Sequence, residues 1–146
     1  MAVWLGNDRL PLIRLYDYQA SRGGYHAEEF LKGFSGYLTC DGFGGYNKLK
    51  DVIRCGCLAH MRRYWHEAFP GKSKKSPDKT PAEIGFDYCN QLFELEKEYA
   101  DLDADTRKAR CLETELAIWE AYWSWLETVT PADGSRLAQA VTYAKN

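Results

Sequence analysis

Long apolar runs are missing from this 146-residue sequence. Hydrophobic residues make up 45% of it, yet no stretch nears the roughly 18 consecutive apolar residues of a membrane span, so no membrane partner is expected. The N-terminal run Met1-Ala2-Val3-Trp4-Leu5-Gly6-Asn7-Asp8 has neither a basic leader nor an apolar core. No secretory signal is expected, and a soluble, cytoplasmic protein follows. Cysteine is sparse and odd in number: Cys40, Cys55, Cys57, Cys89 and Cys111 lack the spacing of a secreted disulfide framework and fit reduced thiols. A phosphate-binding P-loop, a dinucleotide fingerprint and a Gly-x-Ser-x-Gly elbow are also lacking, which removes the chemistries those motifs carry. The length suits one domain with its own core, with room for a helical appendage.

What is present is unevenly distributed. The net charge of -2 hides a basic half and an acidic half: residues 1 to 80 carry a net +5, and residues 81 to 146 a net -7. A basic surface attracts a phosphate backbone and an acidic one repels it, so any nucleic acid is expected along the first half. Ordinary solvated charge is the competing reading at this stage.

The first half alternates short β-rich runs with turns. Val3 to Leu5 and Leu12 to Tyr18 read as two strands of a hairpin, and His26 to Leu31 as a short helix packed on a sheet. Gly36 to Cys40 reads as a strand running into Asp41 and a glycine-rich turn. Val52 to Cys57 is a further strand and Leu58 to Phe69 a helix, ended by Pro70-Gly71. Residues 71 to 81 hold no apolar anchor and read as a flexible basic loop. The rest is helical. Thr80, Pro81 and Glu83 form a capping-box start, and Ile84, Tyr88, Leu92, Leu95 and Tyr99 make one apolar stripe. Asp105 to Val129 carries two stripes, Leu112-Leu116-Trp119-Trp123-Leu126 and Ile118-Tyr122-Trp125-Val129. Ser135 to Ala144 is a last helix. The stripes suit a helical hairpin packed on itself, with a Trp-rich dimerisation surface as the alternative. Strands with helices followed by helices alone indicate an α/β sheet domain with a helical insertion or extension. The expected divisions are 1–70, 71–81 and 82–146.

Asp41 is the first candidate for chemistry. It follows an apolar strand and precedes Gly42, Gly44 and Gly45, where open α/β sheets place ligand and metal sites. Hard divalent cations prefer carboxylate oxygens, and two-metal phosphoryl transfer needs several carboxylates converging on ions about 4 Å apart. On residue type alone, an aspartate before glycines is more often a turn former. Cys55, Cys57, His60 and His66 are zinc-binding residue types, but no matched second cysteine pair exists, which favours buried free thiols. Arg62 and Arg63, with His60 one turn before Arg63, are candidates for a DNA phosphate. Tyr46, Lys48, Lys50 and the Lys72 to Lys79 loop extend that basic character.

These residues carry a resemblance. The run from Phe30 through Gly36-Tyr37-Leu38-Thr39-Cys40-Asp41-Gly42-Phe43-Gly44-Gly45-Tyr46-Asn47, followed by Gly56-Cys57-Leu58-Ala59-His60-Met61-Arg62-Arg63, closely resembles the catalytic domain of the insertion-sequence-66 transposase family. The likeness reaches upstream through Tyr16-Asp17-Tyr18 and Ser21-Arg22, and more loosely downstream to Ala144. It implies a ribonuclease-H-like mixed sheet, here incomplete, and an Asp-Asp-Glu site that uses Mg2+ or Mn2+ to hydrolyse and transfer DNA strands. Asp41 matches the second acid of that set. Cys57, His60, Arg62 and Arg63 match a family signature and are carried as site support. The resemblance places the first acid on a strand before Trp4 and the third beyond the helix ending at Asn146. The expectation is therefore a fragment that is inactive alone, whose exposed sheet edges favour self-association.

Overall fold

The computed structural model describes residues 15–71 and 77–146. It is a mixed α/β protein with five α-helices and a two-stranded parallel sheet among those residues. The chain forms two compact units, one ending at Gly56 and the other beginning at Cys57.

In the first unit, helix α1 (Gly24–Phe30) leads to strand β1 (Gly36–Cys40), a short 3-10 helix (Gly44–Lys48) and strand β2 (Val52–Gly56). The strands pair in parallel with Gly36 opposite Val52 and Cys40 opposite Gly56. Ala27 and Leu31, one helical turn apart, are the buried residues beneath α1. Burial alternates along β1, with Tyr37 and Thr39 exposed and Leu38 half-buried, as a pleated strand with one covered face requires. Both strands fall where the sequence places them. Of the anticipated strand Leu12 to Tyr18, residues 15–18 have no regular structure, with Tyr16 and Tyr18 80% and 89% exposed, and residues 12–14 lie outside the described residues. β-Branched and aromatic content alone does not make a strand where no neighbour pairs with it. Val3 to Leu5 and residues 72–76 of the basic loop lie outside the described residues.

The second unit is helical: α2 (Leu58–Glu67), α3 (Pro81–Glu98), α4 (Ala104–Leu126) and α5 (Arg136–Lys145). Each of the last three starts at a side-chain cap. Thr80 and Glu83 close the expected capping box, with Thr80 N–H donating to Glu83 Oε2 at 2.7 Å. Asp103 Oδ1 accepts from Thr106 N–H at 3.0 Å, and Ser135 Oγ accepts from Ala138 N–H at 3.0 Å. Helix α3 packs against α4, as the expected helical hairpin requires, and α2 packs against both α3 and α5, which extends the hairpin to a four-helix cluster. The core is Met61, Trp65, Cys89, Tyr122, Leu126, Ala140 and Val141. Burial pushes the Cys89 thiol up to about 12, so it stays protonated and behaves as a small apolar filler. The buried face of α3 is Ala82, Gly85, Cys89 and Leu92, not the full stripe led by Ile84 and Tyr88. Position 85 is a glycine where the Trp65 indole fills the space opposite. Of the two stripes on α4, Tyr122 is buried with Trp125 and Val129 packed beside it, while Leu112 and Leu116 stand in the open.

Candidate functional site

Asp41 immediately follows β1, whose pairing with β2 fixes the strand tip from which the acid projects. It is exposed, and its Oδ1 accepts the backbone N–H of Phe43 at 3.1 Å. That bond makes a tight turn, and Gly42 supplies the backbone angle it needs, with φ of 77°. Gly45 serves a different purpose: a Cβ there would fall 2.3 Å from Cε1 of Phe43, so its missing side chain is what lets the phenyl ring fold back over the loop. Gly42 and Gly45 thus shape the loop that carries Asp41 and Phe43.

Asp41 lines a cleft of about 260 Å³ together with Asp17, Ser21, Arg22, Phe43 and Tyr46. The Arg22 guanidinium stands 5.1 Å from the Phe43 ring centroid, within cation–π range. Tyr46 meets Phe43 edge to face at 5.8 Å. Burial is the main reason the Tyr46 hydroxyl is raised above its usual range; the charges of Asp41 and Cys40 push the same way and Arg22 opposes them. Ser21 Oγ lies 2.9 Å from His26 Nε2, fixing the approach to α1. A carboxylate pair and one guanidinium therefore share a single open cleft, an arrangement suited to a hard cation and an anionic ligand together.

The other candidates from the sequence are placed differently. Lys48 and Lys50 line another hollow of the same unit, of about 290 Å³, with Lys32, Glu28 and Asp51. In the second unit, Arg62 donates Nε–H to Asn90 Oδ1 at 2.6 Å and lies over the Phe86 ring at 4.3 Å, a placement that ties α2 to α3. Arg63 is exposed and pairs with Glu67 at 3.7 Å. His60 is half-buried against the Tyr143 ring, and its Nδ1 has no hydrogen-bond partner among the described residues. All five cysteines are free thiols. Among the described residues, the group of three His, Cys, Asp or Glu side chains within mutual ligand range is Glu96, Cys111 and Glu115, not the Cys55, Cys57, His60 and His66 set.

Reading the sequence alone missed Asp17 and Arg22 as members of the Asp41 cleft. They lie some twenty residues before the aspartate, in a segment without regular structure, and the only sequence signal was their place in the upstream part of the family resemblance.

The family model described as Transposase IS66 family matches residues 2–146. An uncharacterized protein of Sinorhizobium fredii, y4qI, is 28% identical over 92% of this chain and 26% of its own length. A second uncharacterized protein of that organism, y4hP, is 25% identical over 80% of this chain and 24% of its own. The chain thus spans about a quarter of the length of these curated relatives. No solved structure matches. Among the described residues, no helix is long and apolar enough to cross a membrane.

Proposed function

The chain belongs to the Transposase IS66 family, and from that membership we propose that it forms part of a transposase catalytic core in which the Asp41 cleft helps to cut and rejoin DNA. The observation that carries this reading is the position of Asp41: an exposed carboxylate at the carboxyl tip of a parallel strand, opening on a cleft that holds a second carboxylate, Asp17. Ligand sites of α/β sheets lie at that edge. The parallel pair β1 and β2 with the acid at its tip also supports a ribonuclease-H-like sheet, with residues 1–70 contributing the core and 82–146 a helical insertion or extension.

Magnesium or manganese fits the donors present, since Asp41 and Asp17 offer hard oxygen ligands. When bound, such an ion polarises a phosphoryl oxygen and steadies the charge that develops on it. Asp41 is the ligand we assign from this chain, oriented by the Phe43 N–H. In a longer transposase, further acids of an Asp-Asp-Glu set would join it around the cation. Lys48 and Lys50 hold backbone phosphates without reading bases. On α2, Arg63 is the exposed cation presented to DNA, while His60 and Arg62 fix the helix that carries it. In the longer transposase, Asp41→Asn is expected to abolish Mg2+- or Mn2+-dependent nicking of supercoiled plasmid while leaving the circular dichroism spectrum unchanged. Nicking at the wild-type rate overturns the assignment.

A second reading, an interaction module that self-associates, is favoured by one observation. Leu112, Leu116 and Trp123 are 61%, 53% and 44% exposed. With Trp119 they follow steps of four, three and four along α4, the spacing of a helix-pairing seam. Sedimentation velocity tests it: a chain that stays monomeric across concentration, and is unchanged by Trp119→Ala with Trp123→Ala, has no such role.

A further inference from the structure

The Asp41 cleft contains a cation that the functional reading above does not use. Arg22 lines it, and its guanidinium is held over the Phe43 ring, whose own backbone N–H holds Asp41. One residue therefore sets the position of both the acid and the guanidinium. The basic side chains that the sequence singled out are engaged in other places: Arg62 with Asn90 and Phe86, Arg63 with Glu67, and Lys48 and Lys50 in the hollow beside Lys32. Among the described residues lining the cleft, Arg22 is the permanently charged cation.

We propose that Arg22 grips a non-bridging oxygen of the DNA phosphodiester that enters the Asp41 cleft. The inference rests on the reading of Asp41 as a ligand for a divalent cation and adds the group that holds the DNA beside it. A guanidinium suits this task because its planar fork of N–H donors matches two phosphate oxygens, whereas an ammonium is a point charge. The contact with the Phe43 ring, 5.1 Å from guanidinium carbon to ring centroid, restricts the side chain's rotamers before DNA arrives. Electrostatics require such a group. Asp17 and Asp41 give the cleft two negative charges that repel a phosphate, and a cation on the Asp41 side together with Arg22 reverses that sign.

The test uses the 146-residue chain and a short fluorescein-labelled DNA duplex, with Mn2+ present, followed by anisotropy over a range of salt concentrations. Arg22→Gln is expected to weaken binding on the order of tenfold and to lower the slope of log affinity against log salt by about one. Arg22→Lys is expected to restore the slope but only part of the affinity, because it keeps the charge and loses the fork. Binding by Arg22→Gln at wild-type strength and slope overturns the proposal, as does full recovery of affinity in Arg22→Lys, which would make the site a diffuse charge. Amide spectra of each variant show whether it is folded. A parallel arm records Mn2+-induced broadening at the 41–46 loop in wild type and Asp41→Asn. Broadening that persists in Asp41→Asn removes the metal reading, whereas wild-type DNA binding by Arg22→Gln with broadening lost in Asp41→Asn removes the Arg22 proposal alone.

Discussion

Phe43 donates its backbone N–H to Oδ1 of Asp41 at 3.1 Å. The ring of the same residue supports Arg22 and meets Tyr46 edge-on, so backbone and side chain of one phenylalanine serve opposite charges. These two contributions can be separated, because a substitution at position 43 changes the ring and keeps the N–H.

Phe43→Ala should therefore leave Mn2+ binding at Asp41 unaltered and weaken duplex DNA binding. The loss of an exposed cation–π contact corresponds to roughly two- to fivefold in affinity. Titrations of Mn2+ and of labelled duplex on the same sample check it. A parallel loss of both would show that the ring, not the backbone, holds the acid.

Gly45→Ala places a Cβ 2.3 Å from Cε1 of Phe43 and must displace the ring. DNA binding should fall as it does in Phe43→Ala. Thermal melting followed, in a Trp4→Phe background, by the fluorescence of Trp65, Trp119, Trp123 and Trp125, all in the helical unit, should not move.

Gly85→Ala is expected to act on the helical unit instead. A Cβ at position 85 would meet Cδ2 of the fully buried Trp65 at 2.4 Å, and overpacking of this kind costs about 1–3 kcal/mol. The midpoint of urea unfolding should drop accordingly, and an unchanged midpoint would mean that α2 and α3 do not pack as described.

Glu115 gives a pH dependence. Burial, followed by the charge of Glu96, raises its carboxyl above the ordinary 4.5. A carboxyl that holds its proton more tightly in the folded than in the unfolded state contributes stability in full below the ordinary value, and that contribution is lost as pH rises through the raised folded value. Glu115→Gln should accordingly raise the melting temperature at about pH 7 and change it little at about pH 4. Equal shifts at both values would contradict the burial-driven assignment.

Much of the fold was legible because local chemistry and packing agree. Thr80 with Glu83 announces a helix start that the structure reproduces to the residue, the last helix begins within one residue of its expected start at Ser135, and the apolar run before Asp41 is β1. The failures have physical causes. Residues 15–18 belong to a run of strand composition and have no regular structure, because a strand is defined by its partner and composition does not supply one. Of the stripe Ile84, Tyr88, Leu92, Leu95 and Tyr99, Leu92 and Tyr99 are buried and Tyr88 packs against the core, but Ile84 stays half-buried and the apolar stripe did not reveal Gly85, whose missing side chain makes room for the Trp65 indole. The strand before Asp41 and the turn after it were readable from residue types, whereas the role proposed for its carboxylate came from the family resemblance. The companions of Asp41, Asp17 and Arg22, were not readable, since no periodicity links an irregular segment to a loop some twenty residues later.

The account stands on Asp41 as a ligand for a divalent cation, and paramagnetic broadening by Mn2+ in two-dimensional amide spectra of the chain tests this most directly. Broadening is expected to centre on residues 41–46 and on the segment around Asp17, and to vanish in Asp41→Asn. Broadening unaffected by that substitution, or centred instead on Glu96, Cys111 and Glu115, would contradict it.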